Sequence, residues 1–263
     1  MERKSRQEAI DDLTLALLYL TRFNDGEGNH FDEMAWKNYD FESIERLDAE
    51  GFIIDPKRSR GGTYKYSYLT EKGREKARDL LKELGAMDSD LYERFEFRTI
   101  KPGEAEEAAL VEQICFPPNE ACTKEHMLER IAVAEDLFLV AIDRESGRIA
   151  GFLNGIATDE YSFKDDFFVD AGNHKKDGKN VMLLGLDVLP EYRKQGLGRE
   201  LVYNYCRKEQ ERGRKRLVLT CLKNKVKMYT GFGFRDLGES ASEWGGEKWH
   251  EMDITLNYEW NED

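Results

Sequence analysis

The spacing of apolar and polar residues predicts that strands and helices alternate through most of the chain. Short apolar or alternating runs are typical of strands, and longer runs with apolar residues every three or four positions are typical of helices. The elements predicted in this way after residue 90 are strands at 95–100, 137–142, 149–156, 181–189, 216–222, near Phe234 and at 249–256, and helices at 104–115, 123–134, 199–205 and just before Gly231. A long polar loop, residues 158–180, interrupts this series.

The first ninety residues have a different pattern. It predicts helices at 12–23 and 39–50, strands at 52–54 and 63–69, and a helix from 70 to 84. Residues 85–90 are polar and are expected to form a linker. We therefore predict two domains, residues 1–90 and 91–263, in a chain of α/β (α+β) class.

Composition restricts the partners that this chain is expected to have. The 263 residues are 40% hydrophobic and 35% charged, with a net charge of −13. Such a charge opposes broad attraction to nucleic acid or to anionic membranes, and it suits cationic substrates. No apolar run approaches the ~20 residues of a membrane span, and the polar start of the chain is unlike a signal peptide.

The cysteines predict a reduced, cytoplasmic protein without a metal site. Cys115, Cys122, Cys206 and Cys221 contain no C-x-x-C pair and are too few for a disulfide scaffold. The chain has four histidines, and none of them stands at metal-ligand spacing.

The segment with the clearest chemistry is R-x-x-G-x-G, residues 193–198, which follows an apolar run and precedes a helical one. Glycines let the backbone approach a ligand closely, and the first N–H groups of a helix face an anion. The spacing differs from that of the glycine loops that bind nucleoside triphosphates or dinucleotides. It points instead to the pyrophosphate of coenzyme A.

Three motifs carry a family resemblance over residues 95–257. They are residues 186–198 (L-D-V-L-P-E-Y-R-K-Q-G-L-G), residues 219–221 (L-T-C), and residues 228–234 (M-Y-T-G-F-G-F). Together they resemble the GNAT acetyltransferase superfamily. Within it, the spacings and the tail at 249–252 are most similar to the arylalkylamine N-acetyltransferase branch.

The resemblance implies a central mixed, mostly antiparallel, splayed sheet flanked by helices. It also implies transfer of an acetyl group from acetyl-CoA to a primary amine, either a small cationic amine or a protein amine. Tyr229 would be the general acid, the alternative being that it only packs against the cofactor. The cofactor site implied by the resemblance comprises Leu186, Asp187, Val188, Arg193, Lys194, Gln195, Gly196, Leu197, Gly198, Arg199 and Asn224.

The general base stays open. The animal enzymes of that branch carry a histidine pair at positions that match Met182 and Leu184 here, and the glutamate of other branches is missing too. Strict alternation along the strand puts Asp187 on the opposite face from these two residues. The alternatives are a carboxylate of the 158–180 loop, a water chain, or no base. Acidic and aromatic residues alternate in that loop. Two interpretations fit this pattern: the loop forms one wall of a binding site for a cationic amine, or it is a charged surface loop whose rings are buried in the core.

The N-terminal domain resembles a winged helix-turn-helix, on residues 47–53 and 68–73. Its predicted wing carries Lys57, Arg58, Arg60 and Lys65, which would contact DNA phosphates or simply be solvated. The helix at 40–50 has five acids and one arginine, which disfavours DNA. The alternatives to an enzyme alone are an acetyl-CoA-sensing transcription regulator and a protein-docking module. The oligomeric state stays open, with a dimer among the alternatives.

Overall fold

The computed structural model describes residues 4–22, 33–36, 39–56, 66–85 and 91–256. These residues divide into two compact units. Unit 1 contains the described residues up to Gly85, and unit 2 runs from Leu91 to Leu256. Each unit has its own apolar core.

Unit 1 is a three-stranded antiparallel sheet with helices around it. Its strands lie in the order β1-β3-β2. The core is formed by residues such as Leu18, Ile44 and Leu81, which are almost inaccessible to solvent. The elements are α1 (Arg6–Leu20), β1 (Met34–Trp36), α2 (Phe41–Ala49), β2 (Ile53–Ile54), β3 (Tyr66–Leu69) and α3 (Glu71–Glu83).

Two features of unit 1 differ from the sequence prediction. Helix α1 begins at Arg6 and not at residue 12, because Ser5 and Glu8 form a capping box: Ser5 Oγ accepts from the Glu8 N–H (3.2 Å), and Glu8 Oε2 accepts from the Ser5 N–H (2.7 Å). Strand β1 was not predicted, since three residues are too short to show a period. The predicted wing cations Lys57, Arg58, Arg60 and Lys65 lie outside the described residues.

Unit 2 is a seven-stranded sheet in the order β4-β5-β6-β7-β8-β10-β9. Every neighbouring pair is antiparallel except β7 and β8, which are parallel. The elements are α4 (Leu91–Arg94), β4 (Phe95–Thr99), α5 (Ala105–Cys115), α6 (Lys124–Ala134), β5 (Phe138–Asp143), β6 (Ile149–Thr158), α7 (Asp166–Val169), β7 (Asn180–Val188), α8 (Leu197–Glu211), β8 (Arg216–Leu222), α9 (Val226–Thr230), β9 (Arg235–Glu239) and β10 (Trp249–Thr255).

Helices cover both faces of this sheet. Along β6, Phe152 packs into the cluster of α5 and α6, and the next residue, Leu153, packs into the cluster that contains Leu201 and Tyr205 of α8. All ten residues of β6 are buried for this reason. The predicted mixed, mostly antiparallel sheet flanked by helices is therefore confirmed. The short helices α4 and α7 were not predicted, and α8 extends beyond the predicted 199–205 at both ends.

Replacing Gly155 with alanine is expected to destabilise unit 2 by about 1–3 kcal/mol, because β6 leaves no room for a side chain there. A Cβ would lie 2.6 Å from the Met182 carbonyl oxygen and 3.2 Å from the Tyr205 hydroxyl. Urea unfolding followed by circular dichroism measures the change. Gly103→Ala is the matched control, since a Cβ there meets nothing within 4 Å. Equal unfolding midpoints for the two variants would show that this packing is not tight.

Candidate active site

Strands β7 and β8 are joined along only part of their length. In unit 2, described without gaps from Leu91 to Leu256, their ladder consists of Asn180 with Arg216, Val181 with Leu217, and Met182 with Val218. After these three pairs, β7 continues to Val188 and β8 to Leu222 without further pairing. The two parallel strands therefore separate toward their carboxyl ends and leave a gap in the middle of the sheet, which we call the splay.

A β-bulge at Leu184 bends β7 where the splay begins. Asn154 of β6 pairs with Gly185, but its neighbour Gly155 pairs with Leu183, so Leu184 is an extra residue in β7. Beyond the bulge, Asp187 pairs with Phe152, while Met182 pairs with Ile156. Phe152 and Ile156 are four residues apart and share a face, so Asp187 and Met182 share that face as well. The prediction that Asp187 faces away from Met182 was wrong, because strict alternation takes no account of a bulge.

The ladder also determines which backbone groups face the splay. The Leu189 N–H donates to the Ala150 carbonyl (3.0 Å). In an antiparallel ladder, hydrogen-bonded and non-hydrogen-bonded pairs alternate. The N–H and C=O groups of Leu186 and Val188 therefore point away from β6 and into the splay, while those of Asp187 point toward β6. The Val188 carbonyl already accepts from Arg193 Nε (2.8 Å) and from the Cys115 thiol (3.4 Å).

The turn between β7 and α8 forms a ring of backbone N–H groups. Lys194 (φ 62°) and Gly196 (φ 91°) both lie in the left-handed region, and α8 begins at Leu197 with no side-chain cap. Backbones that switch hand in this way form concavities that bind anions. Among the described residues, no hydrogen bond is recorded from the N–H groups of residues 194–199. They are six donors in a row at the N-terminus of a fifteen-residue helix.

The polar side chains of the turn are used to hold its shape. Gln195 accepts from Arg94 Nη1 (2.7 Å) and donates to the Glu191 carbonyl (2.8 Å). Arg199 donates to the Gly231 carbonyl (3.4 Å), across to the segment that follows α9. The binding capacity of the turn therefore resides mainly in its backbone.

Tyr229 lies in α9, half-buried beside Phe232 and Phe234, with ring centroids 6.1 and 5.7 Å away. Burial is the largest cause of a raised pKa at Tyr229, followed by the charges of Cys221 and Asp187. The phenol therefore keeps its proton at neutral pH and is a hydrogen-bond donor. Asn224, the other residue predicted from this region, is exposed in the 3₁₀ turn just before α9.

Several buried polar groups lie on the face of the sheet that α5 and α6 cover. Asp187 is 0% exposed and Asn154 is 1% exposed. Among the described residues, none of their side-chain oxygen and nitrogen atoms has a hydrogen-bond partner. Burial and then Glu112 raise the pKa of Asp187 well above its ordinary value, while Cys115, Arg130 and Arg193 act in the opposite direction.

Glu112 and Arg130 beside Asp187 are themselves held by backbone groups. Glu112 Oε1 accepts from the Cys122 N–H (2.8 Å), and Arg130 Nη2 donates to the Phe168 carbonyl (2.6 Å). Their charged ends are 3.9 Å apart. Sequence reasoning missed Asn154, Glu112 and Arg130. The available signal was Asn154 itself, an amide in the middle of an otherwise apolar strand.

Three of the four rings of the 158–180 loop are buried, and the fourth, Tyr161, is 74% exposed. Asp165 binds Ser242 Oγ and the Glu243 N–H, and Asp170 caps the Gly172 N–H (2.8 Å). Its rings Phe163, Phe167 and Phe168 are buried in the core. The burial of these three rings favours the charged loop with core aromatics, and a wall for a cationic amine would have to rest on Tyr161 and the exposed acids.

Two histidines of unit 2, His174 and His250, make contacts within the protein. His174 Nδ1 accepts from the Ala157 N–H (3.2 Å), and burial lowers its pKa. His250 lies 3.1 Å from Asp236. Within the described part of the chain, no group of three or more His, Cys, Asp or Glu side chains is arranged to hold a metal ion. None of the described helices is both long and apolar enough to cross a bilayer.

A splayed mixed sheet, with an anion-binding turn after the strand that borders the splay, defines the GNAT class of fold. Residues 105–234 match the Acetyltransferase (GNAT) family, and residues 6–87 match a domain of unknown function, DUF6429. The uncharacterized protein y4hR of Sinorhizobium fredii is 33% identical over 78 residues, which cover 30% of this chain and 90% of that protein. The chain therefore belongs through unit 1 to the family of y4hR, and unit 2 has a GNAT-like fold.

Solved structures show the same fold for unit 2. The loading GNATL domain of CurA from Lyngbya majuscula superposes with a TM-score of 0.54 at 16% identity, over 62% of this chain and 98% of that one. The GNAT-like decarboxylase GphF, solved in complex with isobutyryl-CoA, superposes with a TM-score of 0.53 at 17% identity, over 62% of this chain and all of that one. At these identities the likeness concerns the fold.

Asp187→Asn is expected to stabilise the protein, and increasingly so as the pH rises. Below the ordinary aspartate pKa of about 3.9, Asp187 is protonated in both folded and unfolded chains, so its carboxyl carries no charge penalty. Because the folded pKa is raised, stability is lost as the pH rises from that value through the folded pKa. Asparagine has no charge to bury. Melting temperatures of both proteins between about pH 5 and pH 9 measure the difference.

Asp143→Asn is the matched control, and its expected effect on stability is the opposite of that of Asp187→Asn. The Asp143 carboxylate accepts from the N–H groups of Glu145 and Ser146 (2.9 and 3.0 Å), and the Ser146 hydrogen bond is the largest cause of its lowered pKa. This substitution should therefore reduce stability above the ordinary aspartate pKa. A wild type and Asp187→Asn variant with the same melting temperature at every pH would contradict the prediction for Asp187.

Proposed function

We propose that unit 2 is an acyl-CoA-dependent N-acyltransferase that moves an acetyl group from acetyl-CoA directly to a primary amine. The observation that carries this proposal is the row of backbone N–H groups at residues 194–199, which have no partner in the described chain and lie beside the splay. Exposed donors at a helix N-terminus suit phosphate oxygens. The two adjacent phosphates of a pyrophosphate would accept hydrogen bonds from more of these N–H groups than a single phosphate would.

The remaining cofactor contacts are proposed on either side of this turn. Leu186 and Val188 direct backbone groups into the splay, where the amide groups of a pantetheine arm would continue the ladder like an added strand. Arg193 and Asn224 complete the proposed site. Asp187, predicted as a backbone contact, has its N–H and C=O turned toward β6, so its backbone is not among the proposed cofactor contacts.

The splay and the turn support binding of an acyl-CoA more directly than the similarity to known proteins does. GphF was solved with isobutyryl-CoA, and the family matched by residues 105–234 is one of acetyltransferases. The sequence supports three further parts of the proposal. The transferred group is acetyl, the protein works in a reduced cytoplasmic setting, and the acceptor is a small cationic amine or a protein amine. The net charge of −13 supports a cationic acceptor.

Tyr229 is proposed to act on the leaving sulfur. Its phenol holds its proton because its pKa is raised, so it would donate a hydrogen bond to the sulfur as negative charge develops there. A raised pKa also means that the proton is released only when a base restores it or when the sulfur is strongly basic. Stabilisation of the developing thiolate is thus the larger part of the proposed role.

For unit 1 we propose a winged-helix-type fold, supported by the order α1-β1-α2-β2-β3-α3 and its three-stranded sheet. Its surface does not favour DNA at α2. The cation of that helix, Arg46, donates to both carboxylate oxygens of Asp11 (2.8 and 3.0 Å). Attraction to phosphate would require Arg46 to leave Asp11, and the acids of α2 would still face the phosphates.

Gly198→Glu is expected to weaken coenzyme A binding about tenfold or more, equivalent to about 1.4 kcal/mol. Its carboxylate would stand at the helix N-terminus where the pyrophosphate is proposed to bind. A Cβ at Gly198 meets only ordinary contacts, 3.7 Å from Val188 Cγ2 and 3.9 Å from Phe232 Cζ, so the variant should fold. Isothermal titration with coenzyme A measures the change, and Gly103→Glu serves as the control. Equal affinities in the two variants would contradict the proposed pyrophosphate site.

Tyr229→Phe should reduce kcat by about 10²-fold with little change in coenzyme A affinity, because the ring remains and only the hydroxyl is lost. The measurement is thiol release from acetyl-CoA across a panel of primary amines. A wild type that binds coenzyme A but transfers acetyl to no amine would reject the enzymatic proposal. An unchanged kcat in the variant would leave Tyr229 with a packing role.

A further inference from the structure

Asp187 and Asn154 form a pair that folding alone does not explain. Buried polar side chains in folded proteins nearly always have hydrogen-bond partners. Here four side-chain atoms, two from each residue, have none among the described residues. The Cys115 thiol is close enough to lower the pKa of Asp187, but it donates its one proton to the Val188 carbonyl. An unsatisfied buried carboxyl and amide lower stability, so their presence points to a ligand that satisfies them.

Gly185 lies between the two side chains, and the lack of a Cβ on it lets their polar ends approach each other. It pairs with Asn154 across the ladder and precedes Asp187 by two residues, so all three lie on one face. A Cβ placed on Gly185 would lie 2.9 Å from Asp187 Oδ2 and 3.3 Å from Asn154 Nδ2. The two polar ends therefore flank the space above the glycine. The Leu184 bulge determines this arrangement, because without it Asp187 would face α8.

The groups around this space leave the Asp187 carboxyl without a hydrogen-bonded counter-ion among the described residues. Six ionisable groups are close enough to Asp187 for mutual effects on pKa. They are Glu112 and Cys115 of α5, Cys122 after it, Arg130 of α6, Arg193 after β7 and Tyr229 of α9. The two arginines already donate to the carbonyls of Phe168 and Val188. Neither makes a hydrogen bond to Asp187. A water molecule would satisfy hydrogen bonds but not the charge, whereas an ammonium group would satisfy both.

The site also lies at the reacting end of the proposed cofactor site. Asp187 stands between Leu186 and Val188, whose backbone groups face the splay. Thr220 of β8 is on the same face as Val218 and hence as Met182, and its buried hydroxyl has no partner among the described residues either. Three unpaired polar side chains thus lie on one face around the splay.

We propose that Asp187 and Asn154 form the subsite for the nitrogen of the acceptor amine, with Asp187 as the group that takes its proton. This inference rests on the proposed acyltransferase function and assigns the base that the sequence left open. Asn154 Oδ1 accepts a second N–H and orients the nitrogen lone pair toward the splay. A carboxylate in a dry site is a stronger base than one in water, which suits it to deprotonate an ammonium ion.

These roles account for every proton and electron pair in the transfer step. One proton of R–NH₃⁺ passes to the Asp187 carboxylate. The nitrogen lone pair then forms the C–N bond to the acetyl carbonyl carbon, and the C–S bond breaks with its electron pair remaining on sulfur. Tyr229 protonates the sulfur and regains a proton from the acylated nitrogen. Asp187 releases its proton to water, so the products are the amide, the thiol and one proton.

Asp187→Asn tests the proposed base. We expect kcat/KM for the amine to fall by about 10²–10⁴-fold, with coenzyme A affinity unchanged. In the wild type, kcat/KM should rise with pH through an ionisation that is absent from the variant. Asp143→Asn, a buried aspartate held by backbone N–H groups, is the matched control and should keep the wild-type profile.

Gly185→Ala tests whether the amine nitrogen binds between the side chains of Asp187 and Asn154. The methyl group would occupy the position between Asp187 and Asn154 and displace the amine, so KM for the amine should rise about tenfold or more while the dissociation constant of coenzyme A stays the same. Gly103→Ala, whose Cβ is in open space, is its control. Folding of each variant is checked by its melting temperature.

The outcomes separate this proposal from the one on which it rests. A wild type that binds no coenzyme A, or acylates no amine, overturns the acyltransferase function and the subsite with it. A wild type that acylates amines, together with an Asp187→Asn variant of unchanged rate and pH profile, overturns the subsite alone. Loss of the ionisation in Asp187→Asn with an unchanged KM in Gly185→Ala supports the base but rejects the position proposed for the nitrogen.

Discussion

The three-residue ladder between β7 and β8 is the constraint on which the rest of unit 2 depends. Parallel strands that stayed paired to their ends would close the sheet and satisfy every backbone group in it. Because pairing stops at Met182 and Val218, the backbone of Leu186 and Val188 is left facing a gap. A ligand with amide groups can complete that ladder.

The anion-binding turn follows from the same geometry. A strand that leaves the sheet must reverse direction before α8 can pack on it, and the positive φ angles of Lys194 and Gly196 make this reversal. The turn aligns the first N–H groups of α8 with the end of the splay. Its side chains bind Arg94, Glu191 and Gly231. The site is therefore a property of the backbone, and the side chains hold it in place.

Much of this could be predicted from the sequence, and the exceptions have physical reasons. The fold was predictable because apolar periodicity and turn residues agree along unit 2. The R-x-x-G-x-G turn was predictable because glycine spacing reports backbone geometry. The face of the sheet on which Asp187 lies was not predictable. One extra residue in β7 reverses the alternation of side chains, and the amino-acid composition does not reveal such a residue. The approach of the Asp187 and Asn154 side chains beside Gly185 was not predictable either, because these residues are 33 positions apart on strands whose register depends on that same bulge.

The bulge at Leu184 also affects how relatives of this chain should be aligned. Residues 180–183 and residues 185–188 keep their register with β6 separately, so a homologue without the extra residue matches one half or the other, but not both without a gap. A sequence alignment that places no gap there would equate a side chain beneath α5 with one beneath α8. Residues on the final part of β7 are therefore best counted backward from Pro190, and those on its first part forward from the start of its ladder with β8.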